Sequence, residues 1–178
     1  MEARVFPFSF REYLRHQGRE PASPDRLTKA AHSALLKDLG AYLVVGGFPE
    51  AQGADTRDRM ELLRGYVDAT LLRDVIERYA VSQPVALRHM TRHLLASAAG
   101  LFSVHRYYNQ LKSKGIPTSK DTLHAYLGHL EDAFLFHSVW LATDSERRRM
   151  SNPRKVYPAD PGLIPIFDRS GQPQHGKA

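Results

Sequence analysis

Leu111-Lys112-Ser113-Lys114-Gly115-Ile116-Pro117-Thr118-Ser119-Lys120-Asp121-Thr122-Leu123 is the stretch on which the fold turns. Gly115 ends one helical pattern. Thr118 or Ser119 can cap the next, and Thr118 with Asp121 forms a capping-box-like start. The turn 114–118 has the length, and the glycine at the helix stop, of a helix-turn-helix.

Apolar spacing extends this unit in both directions. Val104, Tyr107, Tyr108 and Leu111 predict a helix over 103–114. Leu87, Met90, Leu94, Leu95 and Ala98 predict another over 85–99, stopping at Gly100. Beyond the turn, Leu123, Tyr126, Leu127 and Leu130 carry a helix to about Ala133. Two strand-like runs follow, 134–141 and 155–159, joined by the polar loop 143–154. Helix, helix, tight turn, helix and hairpin is the order of a winged helix-turn-helix.

Upstream lies a helical region. Ser9, with Glu12 in the capping-box position, predicts a short helix over 10–16 that Gly18 ends. Leu35, Leu36, Leu39, Tyr42 and Leu43 have helical spacing over 30–45, with Gly46-Gly47 as the stop. The strongest stripe runs over 57–79 through Leu62, Leu63, Tyr66, Val67, Leu71, Leu72, Val75, Ile76 and Tyr79. Arg64, Asp68, Arg73, Asp74, Glu77 and Arg78 share its other face and suggest i, i+4 ion pairs. Ser82-Gln83-Pro84 breaks the chain.

The expected fold is mainly α: a helical subdomain followed by a winged helix-turn-helix with a small β-hairpin. Its expected units are a leading segment 1–20, a lid-like helical subdomain 21–82, a winged-helix domain 83–163 and a flexible tail 164–178.

Composition narrows the function classes. The 178 residues hold 42% hydrophobic and 25% charged residues, the balance of a globular domain. There is no cysteine, so disulfide frameworks, zinc-thiolate sites and thiol nucleophiles are excluded. The longest apolar run, 41–45, is far short of the roughly 20 residues of a membrane span. No signal peptide is expected, and the predicted setting is cytoplasmic. The net charge is +6 and the pI about 9.7, which permits an acidic partner such as nucleic acid.

Cations gather where a winged helix would meet DNA. Arg147, Arg148, Arg149, Arg154 and Lys155 lie on or beside the hairpin loop, against Asp144 and Glu146. Lys112, Lys114 and Lys120 surround the helix-turn-helix turn, and His124 faces outward on the third helix. Guanidinium forks match phosphate oxygens, so double-stranded DNA is the expected ligand. The bland alternative is a solvated loop that keeps the hairpin soluble. The third helix carries Glu131 and Asp132 and no Arg, Asn or Gln to read base edges. Backbone binding or a protein contact therefore fits better than sequence-specific recognition.

Other constellations carry little. His89 and His93 are four apart, but the intervening Met90-Thr91-Arg92 lacks the glutamate of a zinc hydrolase, and a solvent-facing pair is expected. No phosphate loop, dinucleotide fingerprint or nucleophile elbow occurs. No cofactor and no catalytic residue is predicted.

Five segments in order resemble a known family. They are 6–14, beginning Phe6-Pro7-Phe8-Ser9; 42–50, with Gly46-Gly47-Phe48-Pro49; 71–79, with Arg73-Asp74-Val75; 126–134, with Leu130-Glu131-Asp132; and 152–163, with Ala159-Asp160-Pro161-Gly162. Together they look like prokaryotic AAA-type ATPases with a C-terminal domain of unknown function. The resemblance implies an ATPase core before the first segment and a nuclease-like domain after the last. Positions matching their catalytic residues are absent here, so none is carried over. The short chain is then either a genuine product or a gene remnant. Its two expected partners are DNA backbone, through the basic wing, and an ATPase core or a second copy, through an incompletely covered 62–79 stripe.

Overall fold

The computed structural model describes residues 6–22, 26–145 and 153–167. The chain is mainly helical, with a small antiparallel sheet. Helix α1 is Phe10–His16 and α2 is Lys29–Val45. Helix α3, Thr56–Thr70, runs without interruption into a π-helical stretch, Leu71–Glu77. Then come α4 (Pro84–Ala96), β1 (Leu101–Phe102), α5 (Val104–Ser113), α6 (Lys120–Asp132), β2 (Phe136–Val139) and β3 (Arg154–Pro158).

Local chemistry accounts for most of these boundaries. The Ser9–Glu12 capping box is formed in both directions. Gly46 and Gly115 leave their helices at φ of 82° and 70°, a region where glycine has no Cβ to clash. Ser119, rather than Thr118, caps α6 by accepting from the Thr122 N–H at 3.0 Å. The Thr118 hydroxyl is instead buried without a hydrogen-bond partner.

The π-helical stretch follows from the spacing of the core residues. Leu63, Val67, Leu71 and Val75 are all buried and recur at a strict interval of four. On an ideal α-helix such a series drifts about 40° per step, because a turn holds 3.6 residues. Wider i→i+5 turns offset that drift and hold Val75 against the core. Covered in this way, most of the stripe lies against the core. Among its residues Leu72 is the large exposed one, and Leu62, Tyr66, Ile76 and Tyr79 pack against the core. The expected i, i+4 pairing is also corrected: Asp68 pairs with Arg88 of α4 at 3.0 Å, and Arg64 donates to the Ile166 carbonyl.

The sheet has three strands among the described residues, ordered β1-β3-β2, where the sequence predicted two. The extra strand is only Leu101–Phe102, pairing Leu101 with Lys155 and Phe102 with Arg154. Strand β2 begins two residues later than expected because Phe134, at φ 54°, closes α6 and Leu135 N–H returns to the Leu130 carbonyl. One hydrophobic cluster runs from α3 through α4, α5, α6 and β3 to Leu163 and Ile166. The loop at 81–83 therefore joins segments that share a core.

Three of the five resemblance segments meet at one point. Asp160, 1% exposed, accepts from Gly47 N–H at 2.6 Å and from Gly162 N–H at 2.8 Å. Phe8 N–H donates to the Gly47 carbonyl at 2.7 Å, and the Tyr42 hydroxyl donates to the Phe8 carbonyl, also at 2.7 Å. A Cβ on Gly46 would lie 2.0 Å from Asp160, and one on Gly47 would lie 2.1 Å from the Phe8 carbonyl oxygen. These glycines and this aspartate hold the three segments together.

Candidate nucleic-acid interface

Helices α5 and α6 pack through Leu111, Leu123, Tyr126, Leu127 and Leu130, all buried. The turn between them is closed by backbone bonds from Gly115 and Ile116 to Lys112 and Leu111, both 3.1 Å. The outer side of this unit carries the cations. Lys112 and Lys114 are exposed at the end of α5, and Lys120 is exposed at the first turn of α6. The Lys120 ammonium lies 5.7 Å from the centre of the Tyr108 ring, close enough for a cation–π contact that partly fixes it. His124 is exposed one turn further on. Burial of its ring, and then the Arg154 charge, push its pKa down, while Asp121 pulls the other way.

The strands treat Arg154 and Lys155 differently, because neighbours on a strand face opposite sides. Lys155 is exposed between Leu101 and Val139, its cross-strand partners. Arg154 is 9% exposed, with its guanidinium 3.6 Å from the centre of the Trp140 ring. Burial lowers its pKa. Arg154 is thus not the outward cation expected of it; it packs on Trp140, just beyond the end of β2. Arg147, Arg148 and Arg149 lie outside the described residues.

His93 and His89 do not form the solvent-facing pair. The His93 ring stacks on Tyr107 at 4.5 Å, and burial lowers its pKa, while His89 is exposed. Among the described residues no group of three or more His, Cys, Asp or Glu could hold a metal ion.

Sequence reading missed Trp140 and Tyr108, whose roles arise from contacts across the sheet and between helices. It also missed a groove of about 540 Å³ beside the π-helical stretch, walled by Phe48, Tyr66 and Phe134, with Arg73 and Asp74 in its lining.

The family model for a domain of unknown function (DUF8612) matches residues 36–172. The chain belongs to the DUF8612 family. Among curated proteins, this DUF8612 chain is 30% identical over 139 residues to an uncharacterized protein of Haemophilus influenzae. That match covers 78% of this chain and 32% of the relative. It is 26% identical over 136 residues to an uncharacterized protein of Methanocaldococcus jannaschii, covering 76% and 30%. The DUF8612 chain therefore spans about a third of the length of these curated relatives. No solved structure matches it. No helix among the described residues is long and apolar enough to cross a membrane.

Proposed function

We propose that this chain is a non-catalytic, winged-helix-type module that binds the backbone of double-stranded DNA. The observation that carries the reading is the run α4-β1-α5-α6-β2-β3 with strand order β1-β3-β2. On this reading α6 would be the groove-facing helix and the segment that joins β2 to β3 the wing. Exposed Lys112, Lys114, Lys120 and Lys155 line the same unit, and point charges of this kind suit phosphates. Asp121, exposed on α6, and the lack of Arg, Asn and Gln along that helix favour backbone contacts over base readout.

The relatives are about three times as long as the stretch that this chain matches. That length favours a module working within a larger assembly, in line with the resemblance to AAA-type ATPases. A regulatory or lid-like piece acting beside an ATPase core is the second reading.

The test is titration of labelled duplex DNA at two salt concentrations. The intact chain is compared with Lys112→Ala/Lys114→Ala/Lys120→Ala and with Arg147→Ala/Arg148→Ala/Arg149→Ala. Each phosphate that a variant no longer neutralises should shallow the log–log salt slope by about 0.9. Equal, weak binding by all three proteins would refute the reading.

A further inference from the structure

We infer that α5 carries a base-reading face, on which Arg106, Asn109 and Gln110 select duplex sites where a guanine lies within two base pairs of an adenine. The inference rests on the reading that the chain binds duplex DNA, and it moves base contact from α6 to its neighbour α5.

Charge along the sequence singles out this helix. Between Glu77 and Asp121 there is no aspartate or glutamate, and that segment contains all of α4 and α5. On α4 the arginines are engaged. Arg88 pairs with Asp68 at 3.0 Å, and Arg92 lies 5.1 Å from the centre of the Phe167 ring. No ion pair among the described residues involves α5.

The helix is also one-sided. Val104, Tyr107 and Leu111 are its buried residues. At about 100° per residue, Arg106, Asn109, Gln110 and Ser113 then share the opposite face, within roughly 100° of arc. All four are exposed. Exposed His105 and Lys112 border that face on one side and exposed Lys114 on the other. The Asn109 amide nitrogen lies 3.4 Å from the His105 ring nitrogen. The Arg106 and Gln110 side chains have no hydrogen-bond partner among the described residues.

Arg106 works against its own helix. Ser103 caps α5 by accepting from the Arg106 N–H at 3.4 Å, so Arg106 stands at the third helical position. A capping box places Glu or Gln there, as Ser9 and Glu12 do on α1. The helix dipole disfavours a cation in the first turn. A residue that breaks a local rule is expected where function places it.

These side chains match base edges. Arginine forks onto guanine O6 and N7, and Asn or Gln pairs with adenine N6 and N7. Arg106 and Gln110 are about 6 Å apart along the helix axis, less than two steps of about 3.4 Å along a DNA strand. The bordering cations suit the phosphates on either side of a groove. An acidic protein would match the cations but gives no reason for two amides on the face they border.

The test is selection from a pool of randomised duplexes by the full chain, followed by anisotropy titration at two salt concentrations. Selected duplexes should carry guanine within two base pairs of adenine. They should bind at least tenfold more tightly than scrambled duplexes of the same composition. Arg106→Lys keeps the charge but loses the fork, so it should keep the salt slope and lose the guanine preference. Asn109→Ala/Gln110→Ala, favourable changes on an exposed helix face, should lose the adenine preference and bind scrambled duplex as before. Salt-dependent binding with no enriched sequence overturns the inference and leaves the backbone reading standing. Unchanged selection by both variants also overturns it, and makes α5 a solvated or protein-facing surface. Failure to bind any duplex at either salt concentration overturns both.

Discussion

The backbone N–H of Gly47 donates to a carboxylate oxygen of Asp160 at 2.6 Å, joining positions 113 residues apart. The other oxygen of the same carboxylate accepts from Gly162 at 2.8 Å. Burial pushes the Asp160 pKa up, and the two N–H groups pull it back. A buried acceptor with two donors is costly to alter, because each donor left over keeps its full desolvation penalty.

Asp160→Asn keeps the shape but offers one acceptor oxygen in place of two. It should destabilise the chain by about 1–3 kcal/mol. Gly46→Ala should cost more, since its Cβ would fall 2.0 Å from Asp160 at a φ of 82°. Urea denaturation followed by the fluorescence of Trp140, the single tryptophan, gives both values. Wild-type stability in either variant would show that the junction does not hold these segments.

Arg154→Ala removes a guanidinium stacked 3.6 Å from the Trp140 ring centre. The expected loss is about 2 kcal/mol, the scale of a desolvated cation–π contact, together with a changed Trp140 emission maximum. If DNA binds, the salt slope of Arg154→Ala should match that of the wild type. Lys155→Ala should do the reverse, leaving stability alone and shallowing the slope.

His124 carries a lowered pKa, from burial first and the Arg154 charge second. A base whose folded-state pKa is depressed is held neutral, so folding loses stability as pH falls from its ordinary 6.5 through the lower folded value. DNA affinity should change in the opposite sense, rising over the same window as His124 gains its charge beside the phosphates. His124→Gln should flatten that pH dependence. An affinity profile unchanged in the variant would remove His124 from the interface.

Glu20 accepts from Arg15 at 2.8 Å and Arg11 at 2.6 Å, and these partners hold its pKa at about 2. Its contribution to stability is present above the ordinary 4.5 and is lost as pH falls toward 2. Carboxyl NMR titration should find that midpoint, and Arg15→Gln should move it toward 4.5. A wild-type midpoint already near 4.5 would mean that the pairs do not persist in solution.

Much of this fold was legible in single segments. The 10–16 helix was marked by Ser9 and Glu12, the 29–45 helix by its stop at Gly46, and the α5–α6 unit by Gly115 and the leucines around it. Such signals act over three or four residues, where one side chain reaches the next turn. The candidate interface was legible only in part. Lys112, Lys114, Lys120, His124 and Lys155 are exposed as expected, but Arg154 is not. Its place beside Trp140 follows from strand alternation once β3 has neighbours on both sides.

The sequence by itself determined where most helices lie, the Ser9–Glu12 cap and the cationic character of the α5–α6 unit, because periodicity, capping and charge are properties of short stretches. Tertiary structure decided the rest. It added β1, a strand of two residues that exists only because β3 lies beside it. It covered the 63–75 stripe and left Leu36 and Leu43 of α2 outside. It also joined Gly47 to Asp160, since a contact across more than a hundred residues depends on where the whole core brings each segment.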